Sequence, residues 1–305
     1  MRQRSWLTAQ KSLEEIIEKL PRDGEAHLLL AEVYGELDSV QNMLATLEKA
    51  RDISTKYIKR ANFITEKYWF KNFNLGLKHF EQKQFDEAVK RFALAVKIDS
   101  GKTSSNQRYA DALFMASRYE ESKRMYLSVL AKQPDDLVFK DNLAEIYFIQ
   151  EDYDKSVQLC NGILAEKPFD INALKRRAYA FEAMGNFEEA EMDFRVLADM
   201  NPTPKLLTDF GMLYFQHGDY ERAIKRFTEA LNISSDRTSL YRYLGEANWR
   251  LLNYKAMVKW YQRLVEDQPN DLLGWKNLAL AYEALGQKGL LSVARNHIRQ
   301  ITTAN

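Results

Sequence analysis

The chain has 305 residues, of which 44 are Lys or Arg and 43 are Asp or Glu, so its formal net charge is +1. This balance gives no support to binding of nucleic acid or of an anionic membrane through bulk charge. No intrachain disulfide can form because Cys160 is the one cysteine, and no run of 18 apolar residues predicts a membrane span.

The first predicted element is one helix that ends at Pro21. The segment WLTAQKSLEEIIEKLP places Trp6, Ala9, Leu13 and Ile16 at helical spacing. It matches only the second half of the repeating unit described below. Two interpretations stay open: the chain is cut from a longer protein, which we favour, or the segment is a lone capping helix.

No secretory leader is visible before this helix, because no apolar segment is followed by a cleavage site. Together with the single cysteine, this favours a cytoplasmic protein. A cell-envelope location stays open if a signal or anchor lies outside this numbering.

A stretch of fourteen residues, seen in GDYERAIKRFTEAL, occurs six times in the chain, at intervals of 34, 34, 34, 33 and 34 residues. The third residue of each copy is aromatic, and the sixth is Ala or Ser in five of the six. This pattern predicts an amphipathic helix that begins after a turn. The copies begin at Lys83, Ser117, Glu151, Gly185, Gly218 and Leu252.

The half of the unit that precedes this stretch repeats as well. A Gly or Ala recurs in phase at Ala31, Gly76, Ala110, Ala144, Ala178, Gly211, Gly245 and Ala279. Five of the six prolines also share one phase: Pro21, Pro134, Pro168, Pro202 and Pro269. We predict two antiparallel helices per unit, A and B, whose backbones approach closely at the small residues, with Pro ending helix B.

The 34-residue period, the small residues, the aromatics and the phased prolines resemble the tetratricopeptide repeat, whose pattern is W-x2-L-G-x2-Y, then A-x3-F, then P. The segment Leu206 to Ser234 is a close copy. The resemblance implies an all-α, right-handed superhelical solenoid of about eight helix-turn-helix repeats plus an N-terminal half-repeat. We expect a single solenoid over 1–305, with a half-repeat at 1–23 and repeats at 24–57, 69–102, 103–136, 137–170, 171–203, 204–237, 238–271 and 272–305.

Residues 58–68 are an insertion of eleven residues between the first two repeats. Eleven residues make about three helical turns, so a helix can absorb them without losing its facing. We predict one helix from about Thr55 to about Gln82. Its aromatic and apolar residues cannot all lie on one face, so we predict exposed ones and a possible docking site at Phe63, Ile64 and Trp69.

No catalytic motif is present: we find no G-x-G-x-x-G, P-loop, H-E-x-x-H or C-x-x-C. The four histidines lie in separate repeats, and Cys160 takes the aromatic position of a helix B, where a buried structural thiol is expected. We therefore expect a protein that is not an enzyme and holds neither a metal nor a cofactor.

In the resembling family, helix A of each repeat lines a concave groove, and we expect this groove to bind partner segments. The twelfth repeat position is often aromatic, which also fits packing between neighbouring A helices. Along the groove positions, acidic residues dominate the first half of the chain and basic residues the second half. An ordinary solvent-exposed face could carry the same charges. The candidate binding residues are Asp111, Asp141, Glu145, Lys175, Arg176, Tyr179, Phe215, Arg242 and Trp249.

The resemblance also implies what the groove does not do. The family's carboxylate clamp for chaperone tails needs Lys, Asn, Asn, Lys and Arg at five set positions. The nearest set here matches two of them, Asn142 and Arg176, and Asp111 replaces an asparagine. We therefore do not expect this chain to bind chaperone tails through a carboxylate clamp.

We expect a non-catalytic scaffold that binds protein or peptide segments within a hetero-complex. The alternative is a partner- or substrate-recruiting region of a larger enzyme or assembly factor. Helical-repeat RNA binding is disfavoured, because such arrays have a 35-residue period and a basic surface.

Overall fold

A computed structural model describes residues 2–303, which form seventeen α-helices, one short 3-10 helix at Thr55–Tyr57 and no β-strand. The helices are α1 (Arg2–Lys19), α2 (Gly24–Glu36), α3 (Val40–Ile53), α4 (Ile58–Glu81), α5 (Phe85–Ile98), α6 (Thr103–Met115), α7 (Tyr119–Leu130), α8 (Leu137–Ile149), α9 (Tyr153–Glu166), α10 (Ile171–Met184), α11 (Phe187–Met200), α12 (Pro204–Gln216), α13 (Tyr220–Ile233), α14 (Thr238–Arg250), α15 (Tyr254–Asp267), α16 (Leu272–Ala284) and α17 (Lys288–Thr303).

The chain divides into two compact units, Met1–Ile146 and Tyr147–Asn305, which we call unit 1 and unit 2. From α2 onward the even-numbered helices are A helices and the odd-numbered ones are B helices, so α2 to α17 make eight successive A–B pairs. The helices described between residues 2 and 303 include none with the length and apolarity that crossing a membrane requires. The predicted repeat boundaries stay a prediction.

Every A helix from α2 to α16 is followed by one residue with a left-handed backbone. Three of these eight residues are glycines, such as Gly218 at φ 82°, and five are not, such as Leu252 at φ 57°. The next residue donates its backbone N–H to a carbonyl five residues earlier, as Asp219 does to Tyr214 at 2.9 Å. This bond satisfies a free carbonyl at the end of the helix and reverses the chain.

Three glycines of the A helices lie against large side chains sixteen residues later on the B helices. A Cβ on Gly76, Gly211 or Gly245 would lie 2.5–2.6 Å from the ring of Phe92, Phe227 or Tyr261. These rings are fully or almost fully buried. Because such separations are far below van der Waals contact, the glycines allow the two helices to approach.

The inserted residues join one continuous helix, α4, but α4 is shorter than predicted. Its 24 residues begin at Ile58, because Ser54 is extended and its hydroxyl accepts the Lys56 N–H at the start of the 3-10 turn. The side of α4 that faces α2 carries Arg60, Lys67 and Lys71. They pair in register with Glu25, Glu32 (3.8 Å) and Glu36 (2.8 Å), each 35 residues earlier.

The long helix also displaces the next A helix. Whereas α2 begins beside Arg60, α6 meets α4 through Lys102 on Glu66 (3.5 Å) and Ser105 on Trp69 (2.8 Å). The start of α6 therefore lies about two helical turns, roughly 10 Å, further along α4 than the start of α2 does. We call this offset the step in unit 1; it leaves the first turns of α4 without α6 beside them.

Candidate partner-binding faces

In unit 1, Asp111 is turned into the structure rather than displayed on a surface. Its Oδ1 accepts the Tyr126 hydroxyl at 2.5 Å, and Arg108 lies 3.6 Å from its Oδ2. Burial raises the pKa of the Asp111 carboxyl above its ordinary value, although these two neighbours act in the opposite direction. A carboxylate held in this way attracts a cationic partner poorly.

The other two acidic candidates of unit 1 are also engaged within the molecule. Asp141 and Glu145 are half-buried on α8, and each interacts with another group of the chain. The glutamates of α2 are paired with the cations of α4. The acidic half of the expected groove is therefore largely compensated, and sequence reasoning missed this because the insertion was set aside from the repeats.

In unit 2, the basic candidates differ in their freedom to bind a partner. Arg242 binds Asp271, the residue that caps α16, and Arg176 is engaged elsewhere in the molecule. Lys175 is exposed and forms no ion pair within residues 2–303. Of these three, Lys175 is the cation best placed to meet an acidic side chain.

Tyr179 and Lys205 belong to one polar cluster between α10 and α12. The Tyr179 hydroxyl donates to Asp209, and the Lys205 ammonium lies 2.7 Å from the same carboxylate. Burial, followed by the hydrogen bond to Asp209, raises the pKa of Tyr179. Lys175, Tyr179 and Lys205 line a cavity of about 110 Å³, together with the apolar residues Leu197 and Leu206.

The aromatic residues at the twelfth repeat position pack in a way that the sequence did not predict. Phe215 meets Tyr220 edge-to-face across its own turn, at 5.2 Å and 71°. Phe80, Phe114 and Phe148 make the same contact with the first aromatic of the following helix. Trp249 departs from this arrangement: it is 37% exposed, with Arg250 over its ring at 4.9 Å.

The predicted docking residues of α4 are split between the core and the surface. Ile64 is buried, and so is Trp69, whose indole donates to Ser105 at 2.8 Å and stacks on Phe73. Phe63 is 65% exposed, and Phe70, seven residues later, is 57% exposed. A partner can therefore contact Phe63 and Phe70 directly, but not Ile64 or Trp69.

Sequence reasoning missed an apolar pair on α16. Leu273 and Leu280 are both more than half exposed and lie two turns apart, with the exposed Lys276 between them. The sequence could have indicated this pair, because both residues occupy repeat positions that face the groove in the resembling family. Leu273, Lys276 and Leu280, with Trp249 of α14, are called the α16 face below.

The chemistry-bearing side chains do not converge. Within residues 2–303, no three His, Cys, Asp or Glu side chains lie close enough together to hold a metal ion. Cys160 is fully buried.

Comparisons with known proteins agree with the repeat structure. Family models described as "TPR repeat" and "Tetratricopeptide repeat" match residues 211–251 and 109–171. The TPR repeat-containing protein YpiA of Bacillus subtilis is 24% identical over 228 residues, which is 73% of this chain and 51% of that protein. Tetratricopeptide repeat protein 21B of Mus musculus is 21% identical over 87% of this chain and 21% of its own length.

A solved tetratricopeptide repeat protein from Parabacteroides merdae shares the fold. It superposes with a TM-score of 0.50 at 18% identity, covering 89% of this chain and 99% of that one. The chain spans about half the length of the Bacillus relative and about a fifth of the mouse one. With its phased A–B helix pairs and two matching family models, this chain carries tetratricopeptide repeats.

Proposed function

We propose that this chain is a non-catalytic scaffold that binds segments of partner proteins along its A helices, as one component of a hetero-complex. The α16 face supports this proposal best, because its exposed apolar side chains can form the apolar core of a protein interface and the cation beside them its polar rim. Lys276 forms no ion pair within residues 2–303. The inserted helix α4 offers a second docking surface.

The partner segment at unit 2 should combine acidic and apolar residues. An acidic side chain would meet Lys175 at the rim of its cavity or Lys276 on α16. Apolar side chains would cover Trp249 and Leu280. Each exposed ion pair contributes only about 0.2–1 kcal/mol, so the apolar contacts should supply most of the affinity.

The test begins by isolating the intact protein from its native cells and identifying the polypeptide that co-purifies. That polypeptide is then titrated against two double variants. Lys175→Glu with Lys276→Glu should weaken binding about ten- to a hundredfold at low salt, and less at 1 M salt where charges are screened. Trp249→Ala with Leu280→Ser should weaken it at both salt concentrations.

Glu189→Gln, a substitution at an exposed residue of helix α11, is the control. If both double variants bind as the parent does while keeping its thermal stability, the partner does not use this face and the assignment is wrong.

A further inference from the structure

Helix α4 presents a stripe of aromatic and basic side chains that the rest of unit 1 leaves uncovered. Of the described phenylalanines, three are more than half exposed, Phe63, Phe70 and Phe169, and two of them lie on α4. Phe63 and Phe70 are seven residues apart, which places them on one face about 10 Å from each other. We call Lys59, Phe63, Phe70 and Lys78 the α4 stripe.

The step in unit 1 keeps this stripe accessible. Helix α6 meets α4 at Glu66 and Trp69, so it begins beyond Phe63. On the opposite side, α2 contacts α4 through its glutamates, and these ion pairs leave both phenylalanine rings exposed. A rod-like segment can therefore lie along α4 without displacing a neighbouring helix.

The uncompensated charge along α4 is positive. The helix carries five basic and two acidic residues. Arg60 and Lys71 are bound by α2, Glu66 lies 3.5 Å from Lys102, and Glu81, the last residue of the helix, forms no ion pair within residues 2–303. Lys59 and Lys78 form no ion pair within residues 2–303, and the ammonium of Lys67 lies 3.8 Å from Glu32, a loose contact.

We propose that the α4 stripe binds an acidic amphipathic helix of a partner protein, with two apolar side chains seven residues apart that cover Phe63 and Phe70. This inference rests on the proposed scaffold function and names the chemistry of one partner. Acidic residues beside the apolar pair would meet Lys59 and Lys78. The match follows from charge complementarity together with the two-turn spacing of the rings.

Two other occupants fit the stripe less well. A second copy in a two-fold arrangement would place the same cations opposite one another, which is repulsive. An anionic membrane is broader than one helix and would also meet Glu25, Glu32 and Glu36 on α2, beside the stripe. A single acidic helix can lie along α4 alone.

The probe is a synthetic sixteen-residue helical peptide rich in Glu, with two Leu residues seven positions apart, labelled for fluorescence anisotropy with the full chain. Binding should weaken at least tenfold in the Phe63→Ser, Phe70→Ser variant at every salt concentration. It should weaken about tenfold in the Lys59→Glu, Lys78→Glu variant, and this loss should shrink at 1 M salt. Phe169→Ser, at an exposed ring in unit 2, is the matched control and should bind as the parent does.

Several outcomes overturn the inference. They are absence of binding, equal binding of a peptide with Lys in place of Glu, or binding that both α4 variants leave unchanged. Preferential binding to phosphatidylserine vesicles, or self-association of the chain that the Phe63→Ser, Phe70→Ser variant abolishes, would assign the stripe to another occupant. None of these outcomes affects the unit 2 titration, so failure here is distinguishable from failure of the scaffold proposal.

Discussion

At the scale of single residues, the turn after each A helix is decided by backbone conformation rather than by residue type. Glycine occupies the left-handed position in three turns, at Gly185, Gly218 and Gly286. The same position holds other residues in five turns, where the fold imposes φ of 56–61° on side chains that disfavour it. The sequence predicted a turn at each site but not this shared strain, because glycine is absent from most copies.

Replacing Leu252 by Gly should therefore stabilise the protein. The leucine side chain is 67% exposed, so little packing is lost, and glycine adopts φ of 57° without the Cβ clash. We expect the free energy of unfolding to rise by about 0.5–1 kcal/mol, after allowance for the greater flexibility of glycine in the unfolded chain. Urea denaturation measures it.

The converse substitution, Gly218→Ala, is the control and should lower the free energy of unfolding by about 1 kcal/mol. If Leu252→Gly is neutral or destabilising while Gly218→Ala behaves as stated, strain at this turn is not what limits stability there.

At the scale of helices, charge pairing between elements is what the sequence could not reveal. The repeat pattern predicted that the insertion would continue one helix in phase, and α4 does so over 24 residues. It could not predict that Lys67 and Lys71 pair with α2, because that register depends on how far α4 is shifted along its neighbour. For the same reason Arg242 was expected in a binding groove, whereas it binds the cap of the next A helix.

Glu191 shows the same principle inside unit 2. This buried residue of α11 accepts the Tyr214 hydroxyl at 3.0 Å and lies near the guanidinium groups of Arg195 and Arg222. Burial alone would raise the pKa of Glu191, but the hydrogen bonds from Arg195 and Tyr214 and the arginine charges together lower it below its ordinary value. The ionised carboxylate therefore links α11 to α12 and α13.

We expect Glu191→Gln to lower the free energy of unfolding by about 1–3 kcal/mol at pH 7, because it weakens charge-assisted hydrogen bonds to a buried group. A carboxyl whose folded pKa is depressed stabilises the protein above its unfolded pKa, about 4.5, and this stability is lost as pH falls through the folded pKa. The difference between parent and variant should therefore shrink on acidification.

Urea denaturation at pH 7 and at pH 3.5 measures that difference. Glu189→Gln, at an exposed position of the same helix, should change stability by less than about 0.5 kcal/mol at either pH. A loss for Glu191→Gln that stays constant with pH would mean that the side-chain shape, and not its charge, matters.

At the scale of the whole molecule, the fold class was predictable because the same packing requirement between helix A and helix B recurs along the sequence. The small residue of helix A and the large residue of helix B recur sixteen positions apart, as in Gly211 with Phe227 and Gly245 with Tyr261. The candidate binding residues were less predictable. Exposure at Trp249 and Leu280, and burial at Ile64 and Trp69, depend on neighbouring helices that a single repeat does not specify.

Because each repeat packs mainly on its neighbours, damage at one contact should stay local. A Cβ at Gly211 would lie 2.5 Å from Cε1 of Phe227, so Gly211→Ala should cost about 1–3 kcal/mol by forcing α12 from α13. Gly162→Ala in α9 is the matched control: its Cβ meets nothing within 4 Å, and it should stabilise by about 0.5–1 kcal/mol through helix propensity. Amide hydrogen exchange of Gly211→Ala should quicken most in α12 and α13, less in the adjoining α11 and α14, and least in α2–α5. Equal loss of protection in α2–α5 and in α12–α13 would show that the chain unfolds as one cooperative body, and the nearest-neighbour description would then fail.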